Sequence, residues 1–227
     1  MKNKFIITLI AGMLISFSTY SVTIDLRQEY SDNSKILKSR ALISHRFNNG
    51  FGFSLENKWQ SSGKHADRPF NDIISNGNES TISYQHQVNQ SIYFQPDIAF
   101  ENSTDKSNYM PSLRTHYKIN EKIYIAARYR YEYIRNTKKN IDDEHINRGD
   151  IWLGYKVGKW RYEYNFIYKY SDQLKFNNTH EDYEHDLKIA YVINKNWTPY
   201  YQIGNHSVRK TTNERQTRLR IGVQYSF

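Results

Sequence analysis

Ile123-Tyr124-Ile125-Ala126-Ala127-Arg128-Tyr129-Arg130-Tyr131-Glu132-Tyr133 alternates between two kinds of side chain. Ile125 and Tyr129 stand in one phase, Arg128, Arg130 and Glu132 in the other. A period of two marks a strand whose two faces meet different surroundings. Thr23-Ile24-Asp25-Leu26-Arg27-Gln28-Glu29-Tyr30 repeats the pattern. Further windows of the same kind begin near Leu37, Phe51, Thr81, Ser91, Tyr109, Arg148, Trp160, Glu184, Trp197 and Gln216, so the chain reads as twelve strands. No stretch sustains a helical period.

The charges say which phase meets water. Ile24, Leu26, Phe53, Leu55, Ile82, Ile98, Leu113, Ile125, Ile151, Leu153, Leu187, Ile203 and Ile221 share one phase, and no Asp, Glu, Lys or Arg within the twelve windows falls among them. The opposite phase carries many charges of both signs with bases in excess. It cannot be a dry core, because an isolated buried charge costs several kcal/mol or more. A soluble sandwich would bury the apolar phase, whereas a membrane barrel turns it to lipid and wets the charged phase in its lumen.

Three features favour the barrel. Tyr30, Phe47, Phe51, Trp59, Tyr109, Tyr117, Tyr133, Trp160, Tyr170, Trp197 and Phe227 sit at window ends on the apolar phase, as two interfacial girdles require. The windows are about ten residues long, the length a tilted strand needs to cross a bilayer. The ending Ile221-Gly222-Val223-Gln224-Tyr225-Ser226-Phe227 closes on an outward aromatic and resembles the last strand of bacterial outer-membrane barrels; that resemblance implies recognition of Phe227 by the barrel insertion machinery.

The composition agrees with this class. The 227 residues contain no cysteine and ten glycines, and the mean hydropathy is −0.84, which excludes a helical membrane protein, a disulfide scaffold and a thiolate metal site. At the N-terminus, Lys2 and Lys4 precede an apolar run from Phe5 to Phe17 that is too short to span a bilayer, followed by the small residues Thr19 and Ser21. Residues 1–21 therefore read as a secretory signal and residues 22–227 as the barrel. The mature 206 residues keep 30 basic against 23 acidic side chains.

Five tight turns fix the strand number independently: Asn48-Asn49-Gly50, Asn89-Gln90, Asn120-Glu121-Lys122, Gly158-Lys159 and Asn194-Lys195-Asn196, all built from turn formers. With both termini on the rim of the short turns, five turns require twelve strands. The alternate connections, Ser61–Asn78, Asn102–Asn108, Asn136–Asn147, Ser171–Tyr183 and Asn205–Arg215, are longer and polar and read as extracellular loops. The fold expected is thus all-β, a 12-stranded antiparallel transmembrane β-barrel of the bacterial outer membrane.

Twelve strands enclose more room than eight, whose interior side chains alone can fill. The inward bases fall into two groups. Arg218, Arg220, Arg27, Lys38, Arg40 and Arg46 lie around the first strand, and Arg114, Arg128, Arg130, Arg148, Arg161 and Lys169 lie around the seventh, opposite it. Acids fall mainly between the groups, at Asp97, Glu101, Glu184 and Asp186, with Asp25, Glu29, Glu132, Asp150 and Glu163 set among the bases. Guanidinium forks take carboxylates in pairs, so facing ladders form a track for a polyanion such as an acidic polysaccharide. The alternative use of the same charges is mutual neutralisation inside a closed barrel. Nucleic acid is a poor partner for an exported chain with a lipid-facing surface.

Thr23-Ile24-Asp25-Leu26-Arg27-Gln28-Glu29-Tyr30, Ala127-Arg128-Tyr129-Arg130-Tyr131-Glu132 and Leu219-Arg220-Ile221-Gly222-Val223-Gln224-Tyr225-Ser226-Phe227 resemble the KdgM family of oligogalacturonate-specific porins over essentially the whole mature chain. The resemblance implies a monomeric outer-membrane channel with two arginine tracks that passes acidic oligosaccharides from pectin breakdown. A sialic-acid channel, NanC, is a relative and supplies the alternative substrate.

An enzyme in the same kind of barrel is the rival of a different class. Outer-membrane phospholipases use His, Ser and Asn on the lipid face, and Ser75-Asn76-Gly77 invites comparison, but the position two residues earlier is Ile73 and the segment reads as a loop. None of the outward His45, His86 and His185 has a serine two residues on. His65, His145 and His180 lack metal-ligand spacing, and Asp142, Asp143 and Glu144 do not complete a calcium set. No catalytic residue, metal or cofactor is expected.

Overall fold

The structure, a computed structural model, describes residues 22–227; the secretory signal expected over residues 1–21 lies outside the described residues. Twelve strands follow one another: β1 (Val22–Ser31), β2 (Leu37–Arg46), β3 (Phe51–Gln60), β4 (Ile74–Tyr84, resumed after Gln85 as His86–Gln87), β5 (Ile92–Asn102), β6 (Lys106–Lys118), β7 (Ile123–Asn136), β8 (Glu144–Val157), β9 (Trp160–Ser171), β10 (Glu181–Tyr191), β11 (Trp197–Ser207) and β12 (Arg215–Ser226). Each is antiparallel to its neighbours in sequence, and β1 pairs with β12 from Thr23↔Ser226 to Ser31↔Arg218. The sheet therefore closes on itself with no free edge, as lipid demands of any strand structure.

The alternation read from the sequence maps onto the two faces. Leu26, Leu55, Ile82, Leu113, Ile151, Leu153 and Ile221 are exposed, while Asp25, Glu29, Glu132, Asp150, Asp182 and Asp186 are buried. This distribution, inverted relative to a soluble protein, is what a bilayer selects. The aromatic girdles are present on both rims. Trp160 packs on Tyr191 (4.8 Å between ring centres) and Trp197 on Tyr225 (4.7 Å) beside the short turns, while Tyr109 stacks on Tyr133 (5.9 Å) and Tyr133 on His145 (5.1 Å) at the far rim.

All five tight turns lie on one rim with both described chain ends. Gly158 adopts φ +54° at the head of the two-residue β8–β9 turn, a position that needs glycine in a II′ hairpin. The opposite rim departs from expectation. The connection expected at Asn102–Asn108 shrinks to Ser103–Asp105, and β4 begins at Ile74, so Ser75-Asn76-Gly77 lies on a strand instead of in a loop, with a register shift against β3 between Asn57 and Trp59. The β1–β2 connection, Asp32–Ile36, also belongs to this rim.

The strands are longer than the windows. β7 and β8 have 14 residues each. At about 3.3 Å per residue and a tilt of about 40° they rise about 35 Å, past an apolar band of about 25 Å. Charge then reappears on the outward face above the band: Arg135 pairs with Ser107, Glu181 with Tyr170, and Arg215 with Ser207, all in the outward register.

Candidate functional site

The inward register sets like charges side by side. Arg27 lies opposite Arg40, Arg114 opposite Arg128, and Arg130 opposite Arg148. Such rows are stable only if carboxylates are interleaved, and the chain supplies them one step up or down the strands. Asp25 receives Arg40 at 2.8 Å, and Glu56 receives the same guanidinium at 3.2 Å. Glu29 takes Arg220 at 2.6 Å and Lys38 at 3.8 Å. Asp186 and Glu184 take Arg218 at 2.8 and 3.3 Å, and Glu184 also takes Lys169 at 2.5 Å. Asp150, 1% exposed, receives both Arg128 (3.0 Å) and Arg148 (2.8 Å).

The remaining candidates keep their charge available. Arg27 and Arg114 make no ion pair among the described residues; Arg114 rests over the Trp152 ring, 4.4 Å from its centre. Arg130 reaches Asp97 only at 4.0 Å. Arg46 is held by neutral acceptors, the Gly50 carbonyl (2.7 Å), Ser83 Oγ (2.9 Å) and Gln95 Oε1 (3.1 Å). Arg161 donates to the carbonyls of Gly158 (2.7 Å) and Trp160 (2.9 Å), which ties it to a turn.

Two spaces collect these groups. A lumen cavity of about 660 Å³ is bordered by Arg40 and Arg46 from β2 and by Arg114, Arg128 and Arg130 from β6 and β7, so the two walls meet across one void. A smaller space of about 180 Å³ is bordered by Arg27, Lys38, Arg40 and Lys58, with Glu29 and Glu56. Arg40 borders both. Arg148, Arg161, Lys169, Arg218 and Arg220 border neither; all but Arg161 belong to the charge network of the wall.

Lys58 and Lys188 are inward bases that were not among the sequence candidates. Lys58 is held at 2.7 Å from Glu101 and 3.4 Å from Glu79, and Lys188 lies over the Tyr200 ring at 4.2 Å, without an ion pair among the described residues. Both were legible, since each stands in the charged phase of its strand. Tyr200 was not: its hydroxyl donates to Asp25 Oδ1 at 2.8 Å from two strands away.

Among the described residues no cluster of His, Asp and Glu is arranged to hold a metal, and no helix is long and apolar enough to cross a membrane, which leaves the strands as the crossing elements. Although Ser75 lies on β4, Ile73 still stands where a phospholipase-like constellation would need histidine.

The geometry is matched by the comparisons. The family model described as oligogalacturonate-specific porin protein (KdgM) matches residues 15–227. The chain is 39% identical to the uncharacterized protein YiiY of Salmonella typhimurium over 215 residues, 94% of each chain. It is 37% identical to the oligogalacturonate-specific porin KdgM of Dickeya dadantii over the full length of both. The N-acetylneuraminic acid outer membrane channel protein NanC of Escherichia coli is 20% identical, over 95% of this chain and 96% of its own. Among solved structures, a KdgM porin in complex with disordered oligogalacturonate superposes with TM-score 0.68 at 32% identity, over 90% of this chain and 99% of that one. A NanC porin gives 0.76 at 16% identity, over 90% and 100%, and supports the fold. A closed twelve-stranded barrel, an arginine-bordered lumen and a match over nearly the whole chain converge: this outer-membrane protein belongs to the KdgM family of oligogalacturonate-specific porins.

Proposed function

We propose that the barrel is a passive channel for acidic oligosaccharides, oligogalacturonates first, and that it carries no enzymatic activity. The observation that carries this reading is the shared cavity in which guanidiniums from opposite walls face one void. The substrate preference follows the 37% identity to the Dickeya dadantii porin, against 20% to the sialic-acid channel, which supplies the alternative. Residues 1–21 serve as the export signal, Phe227 is offered to the insertion machinery, and the barrel works as a monomer.

The lumen charges suit transit better than capture. A carboxylate arriving at Arg40 meets a guanidinium already held by Asp25 and Glu56, so it exchanges one partner for another and the well stays shallow. Arg27 and Arg114 offer stronger, unshared attraction, one on each wall. A chain of uronates can thus bridge from Arg27 past Arg40 to Arg114 while releasing one contact at a time. Arg46, Arg128 and Arg130 line the same route, and Lys38 stands at its other end.

Planar-bilayer recording of the refolded mature chain tests the proposal. Expected are anion-selective steps interrupted by brief blocks when trigalacturonate is added, blocks that are weaker with N-acetylneuraminate and that fade between 0.1 and 1 M salt as the screening length falls from about 10 to about 3 Å. A folded barrel that conducts without anion preference, or is indifferent to both sugars, refutes it.

A further inference from the structure

Four inward glycines share an arrangement that neither their turn chemistry nor their backbone explains. Gly52 (β3), Gly154 (β8), Gly204 (β11) and Gly222 (β12) are absent from the positive-φ residues, so any amino acid could adopt their conformation, and glycine inside a strand sacrifices both entropy and packing. What each lacks is room for a Cβ. The guanidinium carbon of Arg46 lies 2.9 Å from where the Cβ of Gly52 would stand, and the Tyr124 ring, the Asp186 carboxylate and the Tyr200 phenol occupy that place at Gly154, Gly204 and Gly222, the last also 2.7 Å from the Leu26 carbonyl oxygen. Outward Gly149 has nothing within 4 Å of the same position.

The registers make this a repeated device. Arg46 is paired with Gly52, and Gly52 with Ser83, whose Oγ accepts from Arg46. Tyr124 is paired with Gly154, Gly154 with Glu163, and the Tyr124 hydroxyl donates to Glu163. Asp186 is paired with Gly204, Gly204 with Arg218, and Arg218 donates to Asp186 at 2.8 Å. Tyr200 is paired with Gly222 on β12 and reaches Asp25 on β1. In every case the side chain passes over the glycine of the next strand and binds the strand beyond, always in the direction of increasing strand number around the barrel.

We propose that these glycines are recesses that set the bore of the channel, by letting two tyrosines, an arginine and an aspartate lie flat against the wall. Without the recess each side chain stands out into the lumen, narrowing it and moving its charge toward the axis. Gly52, Gly154, Gly204 and Gly222 are positioning residues: they touch no solute and act through Arg46, Tyr124, Asp186 and Tyr200. The inference rests on the channel reading and is independent of which sugar passes.

The test is single-channel conductance in potassium chloride, without sugar, on variants whose folding is verified by heat-modifiable electrophoretic mobility. Gly154→Ala is expected to lose conductance, and the double variant Gly154→Ala with Tyr124→Ala to recover the conductance of Tyr124→Ala alone, since the three atoms nearest that Cβ all belong to the Tyr124 ring. Gly52→Ala with Arg46→Ala, compared with Arg46→Ala alone, repeats the rescue at a second site whose nearest atoms all belong to Arg46, and Gly149→Ala leaves conductance unchanged. Should Gly154→Ala fail to fold, recovery of folding in the double variant supports the recess as the reason for glycine. A folded Gly154→Ala with full conductance, a loss that persists without Tyr124, or a double variant that still fails to fold overturns the proposal. A wild-type barrel that carries no current would overturn the channel reading itself, a result the glycine variants do not mimic.

Discussion

Asp150 offers the sharpest test of how the lumen charges are balanced. Its side chain is fully withdrawn from water and receives Arg128 Nη2 at 3.0 Å and Arg148 Nη2 at 2.8 Å, with both Nε atoms also within 3.2 Å. Replacement by asparagine keeps the shape and removes the charge, leaving two guanidiniums facing an amide. Removing one partner of a buried ion pair costs about 3–5 kcal/mol. The two guanidiniums keep 16% and 19% of their surface in water, so part of their charge is relieved by solvent, and the lower end, about 3 kcal/mol, is the expected loss. Urea unfolding of barrels refolded in lipid vesicles reads this loss, and Trp152, packed beside Arg128 and Arg114, provides the fluorescence signal. The same substitution adds one net positive charge to the lumen, so the zero-current potential in a salt gradient moves further toward anion selectivity. Asp150→Asn therefore destabilises the barrel and sharpens its selectivity together. A midpoint within experimental error of wild type, or a potential that moves toward cations, refutes the charge balance described.

Replacing Arg114 by serine removes an unshared charge and reduces anion selectivity in the same recording, with little change in unfolding midpoint because no carboxylate loses a partner; replacing both Arg128 and Arg130 by serine reduces selectivity too, and destabilises by exposing Asp150. Leu153→Arg places a charge on the outward face between Ile125 and Tyr164, and is expected to cost about 2–4 kcal/mol near midplane, seen as a lowered refolding yield in vesicles. Asp143, in the β7–β8 loop, accepts from the Tyr133 hydroxyl and from the Asn136 amide, and these bonds hold its carboxyl below the ordinary aspartate range. A lowered value means that the loop contacts are intact above the ordinary pKa of about 3.9 and are lost as pH falls through the lowered one. The Asn136 amide resonance should titrate with a midpoint under that ordinary value and stop titrating in Asp143→Asn.

How much of this was legible in the sequence depends on the reach of each interaction. Period-two alternation is a property of single strands, so the twelve strands, their inward faces and the rim of short turns could be read directly. The upper strand ends could not, because beyond the apolar band both faces meet water: Arg135, Glu181 and Arg215 break the pattern while the backbone pairing continues. For the same reason Lys106 to Asn108 and Ile74 to Asn78 read as loops. Arg40 with Asp25 and Glu56 involves adjacent strands and was foreseeable from the mixture of signs. Asp186 with Arg218, and Tyr200 with Asp25, skip a strand over a glycine, and alternation holds no information about side chains that lie sideways along a wall. Which arginines remain free is decided by such sideways contacts, so the sequence yields the set of bases and the fold divides it into paired and unpaired members.

The closing pair of strands brings Phe227 and Val22 together, the Phe227 amide donating to the Val22 carbonyl at 3.0 Å. Because every strand pairs only with its neighbours around the ring, no hydrogen-bonded ladder depends on where that ring is cut. A circular permutant with Phe227 linked to Val22 and new ends at Gly158-Lys159 should build the same barrel, with the aromatic C-terminus lost from its present place. Comparing the permutant's spontaneous refolding in vesicles with its assembly in cells would separate the role of the terminal segment as one stave among twelve from the role proposed for it as an address for the assembly machinery.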